Sequence, residues 1–218
     1  MRIAVLSSGG KDSSAAWWWA QCRGWDVVAL VTVQIQDGDS HMFQVPSTQW
    51  VEHQALAAQV DWYSVNASGS VDNEISSLET VLGELNLEAI VSGALRSDFQ
   101  KVKLENMAHR LGIHSFSPLW HQDPYSHLHG MIENGFKMMI NSVSCEGLDG
   151  QWLGRILDLE NVRELRSLSE KYRFNVDGEG GEYETFVVGG PHLPRTLHVE
   201  GTASFDSIRG VFTITNVH

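Results

Sequence analysis

Short apolar stretches alternate with helix-forming stretches over the first 116 residues, and few folds accept that alternation. Arg2–Leu6 reads as a short buried strand, Ser7–Ser13 as a Ser/Gly-rich loop, and Ser14–Arg23 as a helix stopped by Gly24. Asp26–Val33 is a near-continuous apolar run, the pattern of a strand covered on both faces. Pro46-Ser47 opens a second helix ending near Val60, and Trp62–Val65 follows as a strand. Ser70–Leu85 is predicted helical and Ala89–Ser92 extended. Ser97-x-x-Gln100 is a capping box for a helix reaching Leu111, stopped by Gly112, before a strand at Ile113–Phe116. Such an order predicts an α/β fold: a doubly wound, mainly parallel sheet with helices on both faces. Ligands of such sheets bind beyond the carboxyl ends of the strands. The Ser7–Ser13 loop is predicted to lie there.

After about Trp120 the texture changes. Helices at Pro124–Asn134 and Leu159–Tyr172 and strands at Phe136–Asn141, Thr196–Glu200 and Val211–Val217 are separated by Gly-rich connections at 146–154 and 177–190. This reads as a smaller α+β lobe. The expected organisation is therefore 1–120 as a ligand-binding domain and 121–218 as a second lobe.

Composition removes several function classes. A content of 42% hydrophobic and 19% charged residues excludes disorder. The apolar stretch Val27–Val33 is far short of the ~20 residues a membrane helix needs, and the N-terminus lacks the features of a secretion signal. A cytoplasmic protein without membrane partners is expected. Cys22 and Cys145 are the two cysteines, and no CxxC is present, so neither a disulfide framework nor a Cys-rich zinc site is available. The formal net charge of −12 repels phosphate backbones, so stable nucleic-acid binding is not expected. A homodimer is among the assemblies left open.

The loop carries the first chemistry. Gly9 and Gly10 let the backbone turn tightly and bring N–H groups to a ligand; Ser8 and Ser13 add hydroxyls, and Lys11 adds a cation. The helix that follows adds positive charge at its start. Together they form a cradle for phosphate or pyrophosphate. It is not a Walker A loop, because Val5 and Asp12 stand where that motif has Gly and Ser/Thr. An acid inside an anion cradle suits Mg²⁺ placed between it and the phosphate, which gives Asp12 a metal role.

Ser8-Gly9-Gly10-Lys11-Asp12-Ser13 resembles the SGGxDS signature of the PP-loop ATP pyrophosphatases. The resemblance implies a HUP-type, Rossmann-like domain in which this loop holds the β,γ-pyrophosphate of ATP while an acceptor is adenylated. Three further blocks resemble one family within that group, the diphthine–ammonia ligases. Gly93-Ala94-Leu95-Arg96-Ser97-Asp98-Phe99-Gln100-Lys101 is similar to its GAxxSxYQ(K/R) stretch, with Phe99 where many members have Tyr. Gly147-Leu148-Asp149 with Leu153-Gly154-Arg155 is similar to GLD…LG(K/R). The block from Gly178 to Phe186, GEGGEYETF, matches the family motif at every position. Met42-Phe43-Gln44 resembles a fourth, weaker block. Residues 201–218 carry no such signature.

The family resemblance implies an ATP-dependent carboxylate–ammonia ligase. It would amidate diphthine on translation elongation factor 2, releasing AMP and pyrophosphate. Lys11 and Asp12 become catalytic candidates. Ser8, Gly9, Gly10, Lys11, Asp12, Ser13, Gly93, Ser97 and Lys101 become candidates for ATP, with Mg²⁺ on Asp12. Asp98, Gln100, Glu179, Gly180, Gly181, Glu182, Tyr183, Glu184 and Thr185 become candidates for the acceptor. Read from its residues, the last block sets three carboxylates and a phenol on a flexible turn. Clustered acids favour a cation, which metal, ammonium or quaternary ammonium would satisfy. Tyr183 over a trimethylammonium would add a cation–π contact. Ser97 also reads as an ordinary N-cap and Lys101 and Lys103 as a solvated helix face, while His127 and His129 read as solvated helix residues. With no glutaminase segment recognisable, free ammonia is the expected nitrogen source. The competing expectations are a tRNA-modifying PP-loop enzyme and an ATP-holding regulator without turnover.

Overall fold

The computed structural model describes residues 1–35, 47–67 and 70–218. Pro46 and the Met42-Phe43-Gln44 block lie outside them. The chain divides into two compact units, Met1–His121 and Gln122–His218.

In the first unit, β1 (Arg2–Leu6), β2 (Asp26–Ile35), β3 (Asp61–Ala67), β4 (Ala89–Ser92) and β5 (His114–Phe116) form one sheet in the order β3-β2-β1-β4-β5. Every pairing is parallel, with Leu6 level with Val31 on one side and Ser92 on the other. This is the expected doubly wound α/β arrangement. The helices between the strands are α1 (Lys11–Cys22), α2 (Val51–Ala58), α3 (Val71–Gly83) and α4 (Asp98–Leu111). Ile75, Leu78 and Leu82 of α3 and Leu104, Met107 and Ala108 of α4 bury their apolar stripes on one face, against Ala4, Val31, Val65 and Ile90. Side chains alternate along a strand, so Ile3, Val5, Leu30 and Val91, all 1% exposed or less, point to the opposite face. Helices α1 and α2 pack there. Their core-facing residues include Ala16, Trp17, Ala20, Val51 and Ala55.

Helix ends follow the chemistry read from the sequence. The Ser97 hydroxyl accepts from Gln100 N, and Gly112 ends α4 in the left-handed conformation at φ 70°. The Ser70 hydroxyl caps α3 in the same way. Helix α1 departs from expectation, starting at Lys11 and not Ser14. Lys11, Asp12 and Ser13 therefore form its first turn, where an acid is favoured by the helix dipole.

The second unit holds α5 (Pro124–Glu133), β6 (Lys137–Val143), α6 (Leu159–Tyr172), β7 (Tyr183–Gly189), β8 (Val199–Asp206) and β9 (Arg209–Val217). Its sheet runs β7-β6-β9-β8 with antiparallel pairings. Leu128 of α5 and Val162 and Leu165 of α6 are fully buried, as are Met138 and Ile140 of β6. Three expectations are corrected. The stretch 177–190 is not all connection, because Tyr183–Gly189 is a strand with five successive buried residues, Thr185 to Gly189, the sign of a strand covered on both faces. Strand β8 begins at Val199 and not Thr196, and it runs well beyond Glu200. His127 is buried at 8% exposure beside Leu128, since the apolar stripe of α5 passes through it; His129 stays partly exposed against Glu133.

The tryptophan cluster at 17–19 divides as its angular spread demands. Trp17 is fully buried under α1, whereas Trp19 stacks edge-on with Trp25 at 5.2 Å and near Phe116 at 6.0 Å, with the Arg23 guanidinium 4.1 Å above its ring.

His192 yields a stability prediction. It is 3% exposed, stacked on Phe136, and burial pushes its pKa down to about 3. The unfolded chain protonates this imidazole near pH 6.5 and the folded chain does not. Below that pH the unfolded state therefore binds the extra proton, and stability falls as pH drops toward 3. Denaturant titrations should show a loss on the order of 1 kcal/mol per pH unit below 6.5 from this residue. In His192→Leu that component should vanish; an unchanged pH slope would show that His192 is not its source.

Candidate active site

Strand order reverses between β1 and β4, and the loops leaving these two strands flank the crevice that such a reversal opens. The first is Ser7–Gly10 and the second runs from Gly93 to Ser97. Gly93 brings them together. A β-carbon there would lie 2.6 Å from the Asp12 carbonyl carbon and 2.7 Å from Ser13 N, both backbone atoms. Only glycine permits that approach.

The first loop is braced from inside. Gly9 sits at φ 78°, a left-handed value suited to glycine. Its N–H donates to the buried Ser7 hydroxyl at 3.2 Å, and its carbonyl accepts from Gln54 Nε2 at 3.1 Å. The Ser13 hydroxyl donates back to Gly10 O at 3.1 Å. Gly9 N–H and the Ser13 hydroxyl are thus engaged within the protein, which narrows the set of donors expected for an anion. Gly10 caps α1 with an extended backbone and no side-chain hydrogen bond. The first-turn N–H groups of a helix have no intrahelical acceptors, so this end is one that could donate to an anion.

Lys11 and Asp12 form an ion pair at the same end. Lys11 Nζ lies 2.6 Å from Asp12 Oδ2, with the lysine side chain 6% exposed and the carboxylate 25%. The acid in the cradle is therefore balanced by its neighbour and by the helix terminus. It remains suited to Mg²⁺, which binds through one or two carboxylates together with substrate phosphates and needs no protein cage. No group of three or more His, Cys, Asp or Glu among the described residues could hold a metal alone.

At the second loop, Ser97 is half-buried and Asp98 exposed, at the start of α4. Lys101 lies one turn on, pairs with Glu105, and sits 5.3 Å over the Trp120 ring. Lys103 pairs with Asp72 at 2.7 Å. Ser92 and Ser117 hydroxyls meet at 3.1 Å, tying the ends of β4 and β5. Gln54 and Ser7 were missed by sequence reasoning. Their signal was weak: a polar residue on the apolar stripe of a short helix, and one serine among four.

The acidic block of the second unit is built as a tight turn leading into β7. Gly178 at φ 71° lies against Tyr183, where a β-carbon would stand 2.7 Å from the tyrosine carbonyl oxygen. Glu182 folds back, Oε1 accepting from both the backbone N–H and the side-chain amide of Asn175 at 2.8 Å. Ser144 donates to Gly181 O, and Ser144 N to Glu182 O at 2.8 Å. Burial and the nearby Glu182 charge push the Cys145 thiol up to about 11, which keeps it protonated near neutral pH. Tyr183 corrects an expectation. Its ring is 2% exposed and its hydroxyl donates to Val176 O at 2.8 Å, so it forms part of the core and offers no face to a quaternary ammonium. Thr185 is likewise buried, at 3%, while Glu179 and Glu184 are half-buried. Gly147 and Gly154 serve packing: β-carbons there would strike the rings of Tyr172 and Phe212.

A Rossmann-like sheet with a phosphate cradle at its switch point defines a nucleotide-using α/β protein, and comparison with known proteins narrows the class. Residues 1–115 match the family model described as diphthamide synthase N-terminal domain, and residues 123–218 match the diphthamide synthase C-terminal domain. The chain belongs to the diphthamide synthase family. The diphthine–ammonia ligase of Danio rerio is 32% identical over 93% of this chain and 88% of its own length. That of Homo sapiens is 30% identical over 93% and 84%. The Schizosaccharomyces pombe enzyme of the same name is 31% identical over 90% of this chain, which spans 36% of that longer protein. A crystal structure described as a predicted subunit of tRNA methyltransferase from Methanocaldococcus jannaschii aligns with 90% of this chain and 99% of its own, at 17% identity and a TM-score of 0.47, a likeness too loose to bear on function.

Gly93→Ala should disrupt the cradle by forcing the β4 loop off the Asp12–Ser13 backbone. Calorimetry should show ATP affinity reduced at least ~10-fold, with stability lowered by about 1–3 kcal/mol. ATP affinity within twofold of the parent protein would show that the two loops do not act together.

Proposed function

We propose that this protein is an ATP-dependent diphthine–ammonia ligase that amidates a protein-borne diphthine, with translation elongation factor 2 as the substrate and free ammonia as the nitrogen donor. One observation carries the reading: an uncapped helix start at the β1/β4 switch point, in a chain whose two units match the two domains of diphthamide synthase.

Ser8, Gly10, Lys11 and Asp12, with Gly93 and Ser97 beside them, hold the phosphates of ATP, on a loop that Gly9 and the Ser13 hydroxyl brace from within. Asp12 would hold Mg²⁺, which supplies charge neutralisation at the pyrophosphate when bound. The diphthine carboxylate attacks the α-phosphorus. The bond to the bridging oxygen breaks, and pyrophosphate leaves into the positive field of Gly10 N–H, the α1 terminus and Lys11. Ammonia then attacks the acyl carbon, AMP departs with the bonding pair, and the proton released passes to solvent. The net products are the amide, AMP and pyrophosphate.

The acceptor is received by the second unit through the acidic turn. With Tyr183 and Thr185 in the core and Glu182 bracing the turn, Glu179 and Glu184 are the carboxylates to face its cationic group. Lys101 contributes by holding the α4 start against Trp120, and Asp98 and Gln100 lie at that start. The cytoplasm, where elongation factors work, is the expected place of action; no described helix is long and apolar enough to cross a membrane.

Incubation with ATP, Mg²⁺, ammonium and diphthine-bearing elongation factor 2 should yield AMP and pyrophosphate in equal amounts and a mass loss of about one unit on the factor, as a carboxylate becomes an amide. ADP as product would sink the adenylation chemistry. Asp12→Ala should lower kcat by at least ~10²-fold. Glu179→Gln and Glu184→Gln should raise KM for the protein substrate while leaving KM for ATP unchanged; a rise in the ATP value instead would remove the acceptor role from the turn.

A further inference from the structure

Gln54 stands out on α2. Its neighbours on the buried stripe, Val51 and Ala55, are apolar, yet this carboxamide is fully buried as well. A buried amide costs free energy unless it is hydrogen-bonded. Gln54 Nε2 donates to Gly9 O at 3.1 Å, across 45 positions of sequence.

We infer that Gln54 is a positioning residue that sets the orientation of the Gly9–Gly10 peptide and thereby aims Gly10 N–H at the pyrophosphate; this rests on the reading of the loop as the ATP cradle. A peptide plane between two glycines has little steric resistance to turning over, because neither flank carries a β-carbon. The plane is trans, as are all described peptides, so its C=O and N–H point in opposite directions. Fixing the carbonyl on Gln54 therefore fixes the N–H on the far side. A reversed plane would set a carbonyl oxygen against the anion and replace attraction by repulsion. The preceding plane is held separately, by Gly9 N–H on the Ser7 hydroxyl at 3.2 Å. With Gly9 N–H engaged there, Gly10 supplies the next N–H along the loop, and it belongs to the plane that Gln54 controls.

The test compares inorganic pyrophosphate, ATP and AMP as calorimetric ligands of the full chain. Gln54→Met keeps the volume and removes the donor. It should weaken pyrophosphate and ATP about 10-fold, the worth of one such hydrogen bond, with AMP within twofold. Gln54→Glu sets an acceptor against the carbonyl and should weaken them at least as much. Pyrophosphate affinity within twofold of the parent in a folded variant overturns the inference, as does an equal loss for AMP, which would mark a general packing role. Amide exchange on the parent protein needs no variant: pyrophosphate should slow exchange at Gly10 and leave Gly9 unchanged, and protection of Gly9 without Gly10 overturns the assignment. Failure of the parent protein to bind pyrophosphate or ATP at all would instead overturn the reading of the loop on which the inference rests.

Discussion

The reversal of strand order between β1 and β4 is the constraint on which the site depends. Right-handed crossovers running outward in both directions from that pair put α1 and α2 on one face of the sheet and α3 and α4 on the other. The loops leaving β1 and β4 then part, and the sheet opens at one place. What the topology opens, glycine lets close to contact distance: Gly93 allows the second loop onto the backbone of Asp12 and Ser13. Neither loop alone makes a cradle of this shape. The close approach also explains why a short β4, four residues long and fully buried, suffices; its task is to deliver a loop beside β1.

Electrostatics at the site oppose those of the whole chain. The protein carries a formal charge of −12, and the cradle is made positive by backbone N–H groups and a helix terminus. The Lys11–Asp12 pair adds little net charge, so its value is local: it gives a metal a carboxylate and a phosphate a cation within one helical turn. A compact anion that enters the cradle meets these donors at contact distance. An extended polyanion reaches beyond the cradle to the rest of a chain with a formal charge of −12, where repulsion is felt from carboxylates within the ~8 Å screening length.

Much of the first unit was legible in the sequence, because each strand there is a short apolar run bounded by turn or cap residues. Ala89–Ser92, the Ser97 cap and the Gly112 stop stand where their chemistry puts them. The start of α1 was not, since the serines and Asp12 read equally as loop or as first turn, and only the tertiary position of the loop decides. Strand β7 was hidden by the glycines before it, although its Thr185–Val188 run carries a strand's composition. Gln54 and Ser7 were beyond reach for a different reason. Each makes one hydrogen bond to Gly9: no local pattern encodes the Gln54 contact across 45 residues, and the Ser7 contact, though only two residues apart, depends on which of four loop serines the fold turns inward.

The GEGGEYETF block shows how a motif can be specific without each position touching a ligand. Gly178 and Gly181 hold left-handed backbone, Glu182 closes the turn onto Asn175, and Tyr183, Thr185 and Phe186 enter the core with β7. Those six positions would be required of any protein that makes this turn before this strand. Glu179 and Glu184 are half-buried, Glu179 in the turn and Glu184 near the start of β7. The glycines and Tyr183 fix the backbone that carries both carboxylates, one in the turn and one at the start of the strand that follows it.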